Sequence, residues 1–75
     1  MTLNEFVQEF AEQFEETPIE QFASDTVFKD LEEWGSLTSL SVISIVDEKL
    51  GKRITGADLR SSNTIEDLFN NANAK

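Results

Sequence analysis

Residues 34–51 read WGSLTSLSVISIVDEKLG, and they predict the helix around which the rest of the chain is arranged. Leu, Ile and Val recur between Leu37 and Leu50 on more than one side of a helical wheel, which predicts the most buried helix of the molecule. Ser36 is a residue type that caps helix N-termini, and Gly51 is a common helix stop. The stretch therefore predicts a helix over about 36–50.

Upstream of this stretch, phenylalanines recur at helical spacing from Phe6 to Phe14, which is typical of a core-facing helix. Thr2 and Glu5 have the spacing of a capping box. Because the residue before a proline avoids the α conformation, the helix is expected over about 3–15. Residues of about 17–35 have no sustained period and form a long first loop, with short helical turns near 18–23 and 28–33.

Downstream, Thr55 is placed to cap a short helix over about 56–61. Thr64 is placed to begin a last helix over about 64–73, with acidic residues in its first turn. No strand pattern and no internal repeat occur. The sequence predicts one all-α domain, 1–75. It is a small four-helix bundle with three longer helices, one short helix and a long first loop.

The composition excludes several kinds of site, because the 75 residues include no His and no Cys. A serine or cysteine protease triad, a His/Cys zinc site and a disulfide are therefore impossible. No general base with a neutral-range pKa stands beside any serine. We expect this chain not to be an enzyme, and we predict no metal site.

The charge is strongly negative, with 15 acidic and 6 basic side chains and a net charge of −9. Such a surface repels nucleic acid and anionic membranes and suits partners with basic docking patches. Residues 1–16 contain five acids and no Lys or Arg, unlike a targeting peptide. We expect a cytoplasmic monomer that binds neither nucleic acid nor membranes, and the neighbouring acids Glu32 and Glu33 are expected on solvated surface.

Ser36 is the one residue for which the pattern suggests chemistry. A serine at a helix start lies beside unpaired backbone N–H groups and the positive end of the helix dipole, where a phosphate ester is favoured. Its hydroxyl needs a base that this chain lacks, so another protein would have to activate it. From the residues alone, a plain N-cap and a modified serine both remain open.

The motif Trp34-Gly35-Ser36-Leu37, taken with its surroundings, resembles the acyl carrier proteins. That family has an Asp-Ser-Leu motif, often with Trp before it in carriers of specialised pathways. The resemblance continues through the run LTSLSVISIVDEKLG, similar to the family's recognition helix, and through the run from Asn63 to Phe69, similar to its last helix. It covers nearly the whole chain.

The resemblance implies that Ser36 carries 4′-phosphopantetheine, donated from coenzyme A by a phosphopantetheinyl transferase. The arm's thiol would hold an acyl or related group as a thioester for fatty-acid, polyketide or other biosynthetic enzymes. The partners implied are acyl-activating, condensing or acyl-transferring enzymes with basic or apolar docking surfaces. Gly35, Leu37, Asp47 and Glu48 would be the residues that partners recognise.

Two departures from the family pattern stand out. Gly35 replaces the family's Asp, which is thought to help position the transferase and its metal. This leaves three interpretations open: a natural variant with a tolerant transferase, a carrier that no longer bears the arm, or an altered chain. The recognition helix also lacks acids near its start and has them only at Asp47 and Glu48. The alternative function is an unmodified module of the same fold that binds a partner enzyme without cargo.

Overall fold

The first helix begins with the predicted cap. A computed structural model describes residues 1–75, and in it α1 spans Leu3–Ala11. The Thr2 hydroxyl accepts a hydrogen bond from the Glu5 backbone N–H at 3.2 Å, and the Glu5 carboxylate accepts one from the Thr2 N–H at 2.8 Å. Both halves of a capping box are therefore present, as predicted.

The prediction that α1 continues to residue 15 was wrong. The N–H groups of Gln13 and Phe14 donate to carbonyls three residues back, each at 3.1 Å, so the backbone tightens after Ala11. Phe14 nevertheless stays buried. The side-chain period thus continues past the end of the α-helix, which is why the pattern overestimated its length.

The long first loop contains two short 3₁₀ turns, Ile19–Gln21 and Phe28–Asp30, within the ranges predicted for helical turns. Two bonds tie the loop to the last helix: the Ile65 N–H donates to the Thr26 carbonyl (3.2 Å) and the Glu66 N–H donates to that of Ser24 (2.9 Å). These bonds also satisfy N–H groups at the start of that helix, which its own backbone leaves free.

The remaining helices lie where the sequence predicted them. They are α2 at Ser36–Leu50, α3 at Gly56–Ser61 and α4 at Ile65–Asn73. Gly51 ends α2 with φ 65°, a left-handed conformation that glycine adopts without strain. Thr55 and Thr64 cap α3 and α4 through capping boxes with the carboxylates of Asp58 and Asp67. The chain is a small all-α bundle without strands.

An aromatic cluster fills the core. Phe10 is fully buried, and its ring centroid lies 5.4–6.3 Å from those of five other aromatic residues. These are Phe6, Phe14, Phe22, Phe28 and Trp34. Trp34 also packs edge-on against Phe28 at 4.8 Å. Because Trp34 stands two residues before Ser36, the core fixes the approach to the start of α2.

Candidate functional site

Ser36 is the first residue of α2 and is exposed. The next two hydroxyls are used within the chain: that of Ser39 donates to the Gly35 carbonyl at 2.7 Å, and that of Thr38 bonds to the same residue. The Ser36 hydroxyl makes no hydrogen bond within the chain. It is therefore accessible from solvent.

The cap of α2 differs from the sequence prediction. Gly35, not Ser36, occupies the N-cap position, and its carbonyl accepts the first bond of the helix, from the Ser39 N–H at 2.9 Å. Only the reverse half of a capping box exists, because glycine has no side chain. In it, the Thr38 Oγ1 accepts from the Gly35 N–H at 2.7 Å. No side chain caps the first N–H groups of α2, so its positive end is open beside Ser36.

The backbone conformation at position 35 does not require glycine. Its φ of −174° is extended and accessible to any residue, and a Cβ built there has nothing within 4 Å. An aspartate side chain at position 35 therefore has room, and it would point into solvent or back to the open N–H groups of α2.

The outer face of α2 is more apolar than expected. Leu37 is 81% exposed and Leu40 is 62% exposed, both within the first five residues of the helix. The prediction that α2 is the most buried helix was wrong, because four of its 15 residues are buried, a smaller share than the three of nine in each of α1 and α4. Its apolar residues on several faces include Leu37 and Leu40, which lie about one helical turn apart and are exposed next to Ser36.

The predicted acidic recognition residues lie elsewhere on the helix. Asp47 and Glu48 are exposed near the C-terminal end of α2. At 1.5 Å per residue, Asp47 is about 16 Å along the axis from Ser36. The structure thus brings Leu37 beside Ser36 but separates the two acids from both. Glu48 follows Leu37 by 11 positions, three helical turns, and therefore shares its face of the helix.

A groove between α2 and α3 opens beside Ser36. This α2–α3 groove has a volume of about 510 Å³, within the range of about 300–1,000 Å³ usual for ligand sites. Its lining residues come from both helices and from the end of the first loop: Lys29, Trp34, Ser36, Ser39, Leu40, Ile43, Gly56, Leu59 and Arg60. Sequence reasoning did not find this groove, because Lys29 and Arg60 are distant in sequence and belong to no motif.

Glu33 is not the solvated surface acid that the sequence predicted. Its carboxylate accepts hydrogen bonds from the N–H groups of Glu15, Glu16 and Thr17 at 2.8–3.1 Å and from the Thr17 hydroxyl at 2.8 Å. These bonds, that from the Thr17 hydroxyl first, lower the pKa of Glu33 from its ordinary value. Glu33 thus clamps the turn after α1 to the segment that leads into Trp34 and Ser36.

No group of three or more His, Cys, Asp or Glu side chains is arranged to hold a metal ion. None of the helices has the length and apolar character needed to cross a membrane. Comparisons with protein-family models, with curated proteins and with solved structures found no match for this chain.

Proposed function

We propose that this chain is an acyl carrier protein, modified at Ser36 with 4′-phosphopantetheine. The observation that supports this best is the free, exposed Ser36 hydroxyl at the uncapped start of a 15-residue helix. The resemblance of the flanking motif to the carrier family points to the same residue. The chain itself catalyses nothing and acts as a monomeric substrate carrier in the cytoplasm.

The surroundings of Ser36 suit a phosphodiester. The open N–H groups and the positive end of α2 favour a negative charge on the serine oxygen. The empty space beside Gly35 leaves room for the attached group.

The modification needs an activated phosphate, which coenzyme A supplies, and a base, which the transferase supplies. The Ser36 oxygen attacks the phosphorus on the pantetheine side of the coenzyme A pyrophosphate. A bond from that oxygen to phosphorus forms, the pyrophosphate P–O bond breaks, and 3′,5′-adenosine bisphosphate leaves. The hydroxyl proton passes to a base of the phosphopantetheinyl transferase, because this chain has no His or Cys. The bound arm supplies a thiol that holds an acyl group as a thioester.

The face of α2 beside Ser36 is the proposed docking surface. Leu37 and Leu40 offer an apolar contact, and Glu48 on the same side of the helix offers a charge for a basic partner. Acyl-activating, condensing or acyl-transferring enzymes that bind this face would have the arm on Ser36 at the edge of their contact surface.

Intact-mass measurement tests the modification. The chain is incubated with coenzyme A and a transferase of broad specificity, and the expected result is the gain of one phosphopantetheinyl group. Ser36→Ala should abolish the gain, whereas Ser44→Ala, which removes an exposed serine of the same helix, should leave it unchanged. No gain on this chain and none on Gly35→Asp would overturn the proposal.

A second candidate is an interaction module without cargo. The exposed Leu37 and Leu40 favour it, because they form a docking face that needs no arm. The two functions differ in their response to Ser36→Ala in the host pathway. A carrier loses its activity with this change, whereas a module that acts through Leu37 and Leu40 keeps it.

A further inference from the structure

The first part of the chain carries most of the negative charge of the molecule. Residues 1–28 contain seven acidic side chains and no Lys or Arg, whereas residues 29–75 contain eight acidic and six basic side chains. The two parts therefore have net charges of −7 and −2. Residues 34–46, which include Ser36 and most of α2, have no charged side chain at all. A basic partner is thus attracted more strongly to the first part of the chain than to the α2 face beside Ser36.

Three of these acids lie on one side of α1. Glu5, Glu9 and Glu12 follow one another at spacings of four and three residues, which places them on the same face of a helix. At 1.5 Å per residue they span about 10 Å along the axis. Glu12 forms no ion pair, and the ion pair of Glu9 with Lys49 is long, at 3.9 Å. A partner helix with Lys or Arg at every third or fourth position matches this row of carboxylates.

A groove beside the three acids adds apolar surface to them. This α1 groove lies between α1 and the first 3₁₀ turn, and it has two adjoining parts, of about 300 and 470 Å³, that share Gln8 and Ile19. The three acids line the first part together with Met1, and apolar side chains that include Val7 and Phe22 line the second. No basic residue lines either part.

Ile19 is held in the α1 groove by an ordered turn. Its side chain is 56% exposed, although it is large and apolar. The N–H of Gln21 donates to the Pro18 carbonyl and that of Phe22 to the Ile19 carbonyl, each at 3.0 Å, and Phe22 is buried in the aromatic cluster. An apolar side chain fixed in this way loses little conformational entropy when a partner covers it.

The α1 groove lies away from Ser36. Glu9 pairs with Lys49 in the last turn of α2, whereas Gln13 adjoins Leu40 near its start, so α1 and α2 run in opposite directions. Lys49 is about 20 Å along the axis of α2 from Ser36, at 1.5 Å per residue. No residue lines both the α1 groove and the α2–α3 groove. A partner in the α1 groove therefore leaves Ser36 accessible.

We propose that the α1 groove is a second docking surface, which binds a cationic amphipathic helix of a partner protein. Lys or Arg side chains of that helix pair with Glu5, Glu9 and Glu12, and one large apolar side chain packs against Ile19. The apolar contact supplies affinity, and the charges supply orientation and a faster encounter. The inference goes beyond the proposed function, because it does not depend on the loading of Ser36. A partner bound here holds the chain while the α2 face engages another protein.

Two designed peptides test the α1 groove on the unmodified chain. The first is a helix former with lysine at every third or fourth position and leucine on the adjoining face. In the second, alanine replaces each leucine, so the charge is identical. In an NMR titration of isotope-labelled chain at about 0.15 M salt, the leucine peptide should shift the backbone signals of Glu9, Glu12 and Ile19. It should bind at least about fivefold more tightly than the alanine peptide.

Three variants separate the apolar contact from the charge. Ile19→Ser should weaken binding of the leucine peptide about fivefold and leave the fold intact, because the side chain is exposed. Glu9→Gln with Glu12→Gln should weaken binding of both peptides about fivefold. Asp30→Asn with Glu32→Gln removes as many charges from exposed residues that do not line the groove. This control should bind both peptides within about twofold of the parent.

Other outcomes overturn the inference. Equal affinity for the two peptides would mean that the acids attract cations without an apolar docking site. Shifts centred on Leu37 and Leu40 would assign the peptide to the α2 face, and the absence of any shift would mean that the α1 groove binds no such helix. Equal weakening by the two double substitutions would mean that net charge alone governs binding. None of these results affects the loading of Ser36, which the intact-mass measurement decides separately.

Discussion

At the scale of the residue, Gly35 leaves α2 without a side-chain cap although the space for one is present. We predict that Gly35→Asp raises the free energy of unfolding by about 0.5–1 kcal/mol. Aspartate would cap the open N–H groups, and its charge is favourable at the positive end of the helix. Urea unfolding monitored by Trp34 fluorescence measures the change.

Gly35→Asn separates the two contributions, because asparagine caps equally well but carries no charge. It should give part of the gain in stability. If the attachment of phosphopantetheine is also faster in the aspartate variant and not in the asparagine variant, the charge at position 35 serves the transferase. A fall in stability with both variants would contradict the open geometry at Gly35.

Glu33 provides a second residue-scale prediction. Glu33→Gln should lower the urea midpoint at neutral pH, because four hydrogen bonds would lose their charged acceptor. The pKa of Glu33 is lowered below its ordinary value of 4.5 in the folded chain. The stabilisation is therefore fully present above about pH 4.5 and is lost as the pH falls through the lower, folded-state pKa.

The difference in stability between the parent and Glu33→Gln should accordingly disappear on acidification. The matched control is Glu32→Gln, since the adjacent carboxylate is exposed and accepts no hydrogen bond in the chain. Parent and Glu32→Gln should unfold at nearly the same urea concentration at neutral pH. If Glu32→Gln lost as much stability as Glu33→Gln, the removal of a negative charge, and not the loss of the Glu33 hydrogen bonds, would be responsible.

The sequence could not have predicted the role of Glu33. Its donors are 16 to 18 residues away along the chain, and the pattern of residues 17–35 gives no register for that contact. The position of Ser36 at the start of α2 was predictable for the opposite reason. Its position depends on local signals, namely the apolar run that follows it and the glycine that precedes it.

At the scale of the element, α2 has a buried face and an exposed apolar face with different roles. We predict that Ile45→Ala costs about 2–5 kcal/mol, because it removes buried core volume. Leu37→Ala should change stability by less than about 0.5 kcal/mol, since the side chain is 81% exposed. Thermal unfolding of the two variants side by side measures the difference.

The Leu37→Ala variant also tests the docking surface. Leu37→Ala should slow the transferase reaction at low carrier concentration while leaving the fold intact, because it removes an apolar contact and not a core residue. A correctly folded Leu37→Ala protein that is loaded at the parental rate would contradict the assignment of this face to the transferase.

The helices differ in how far their sequences determined them. Capping boxes begin α3 and α4 at the expected residues, because Thr55 and Thr64 act on amides three residues ahead. The end of α1 was missed because its tightening to i→i−3 bonds leaves the side-chain period unchanged. The exposure of Leu40 was missed because periodicity reports which residues are apolar and not which faces have a neighbour.

At the scale of the whole molecule, the negative charge has opposite consequences for folding and for association. The chain has 15 acids against 6 basic residues, and its ion pairs at 3.9 and 2.9 Å lie on the surface, where such pairs contribute little. Its extents are 30 × 24 × 20 Å. The Debye length is about 30 Å at 0.01 M salt, so at low salt the carboxylates repel one another across the whole molecule.

We therefore predict that raising the salt concentration from about 0.01 M to about 0.15 M stabilises the fold and slows its loading. The Debye length falls to about 8 Å, which screens the self-repulsion, and the melting temperature should rise by about 4 °C, equivalent to roughly 1 kcal/mol in a domain of this size. The same screening weakens attraction to a basic transferase, so the loading rate at low carrier concentration should fall about tenfold.

Glu12→Gln with Glu20→Gln, which removes two exposed acids remote in sequence from Ser36, should reduce both salt effects together. A melting temperature that falls with salt would mean that ion pairs outweigh the repulsion. A loading rate that does not fall would mean that Leu37 and Leu40 guide the encounter without help from charge.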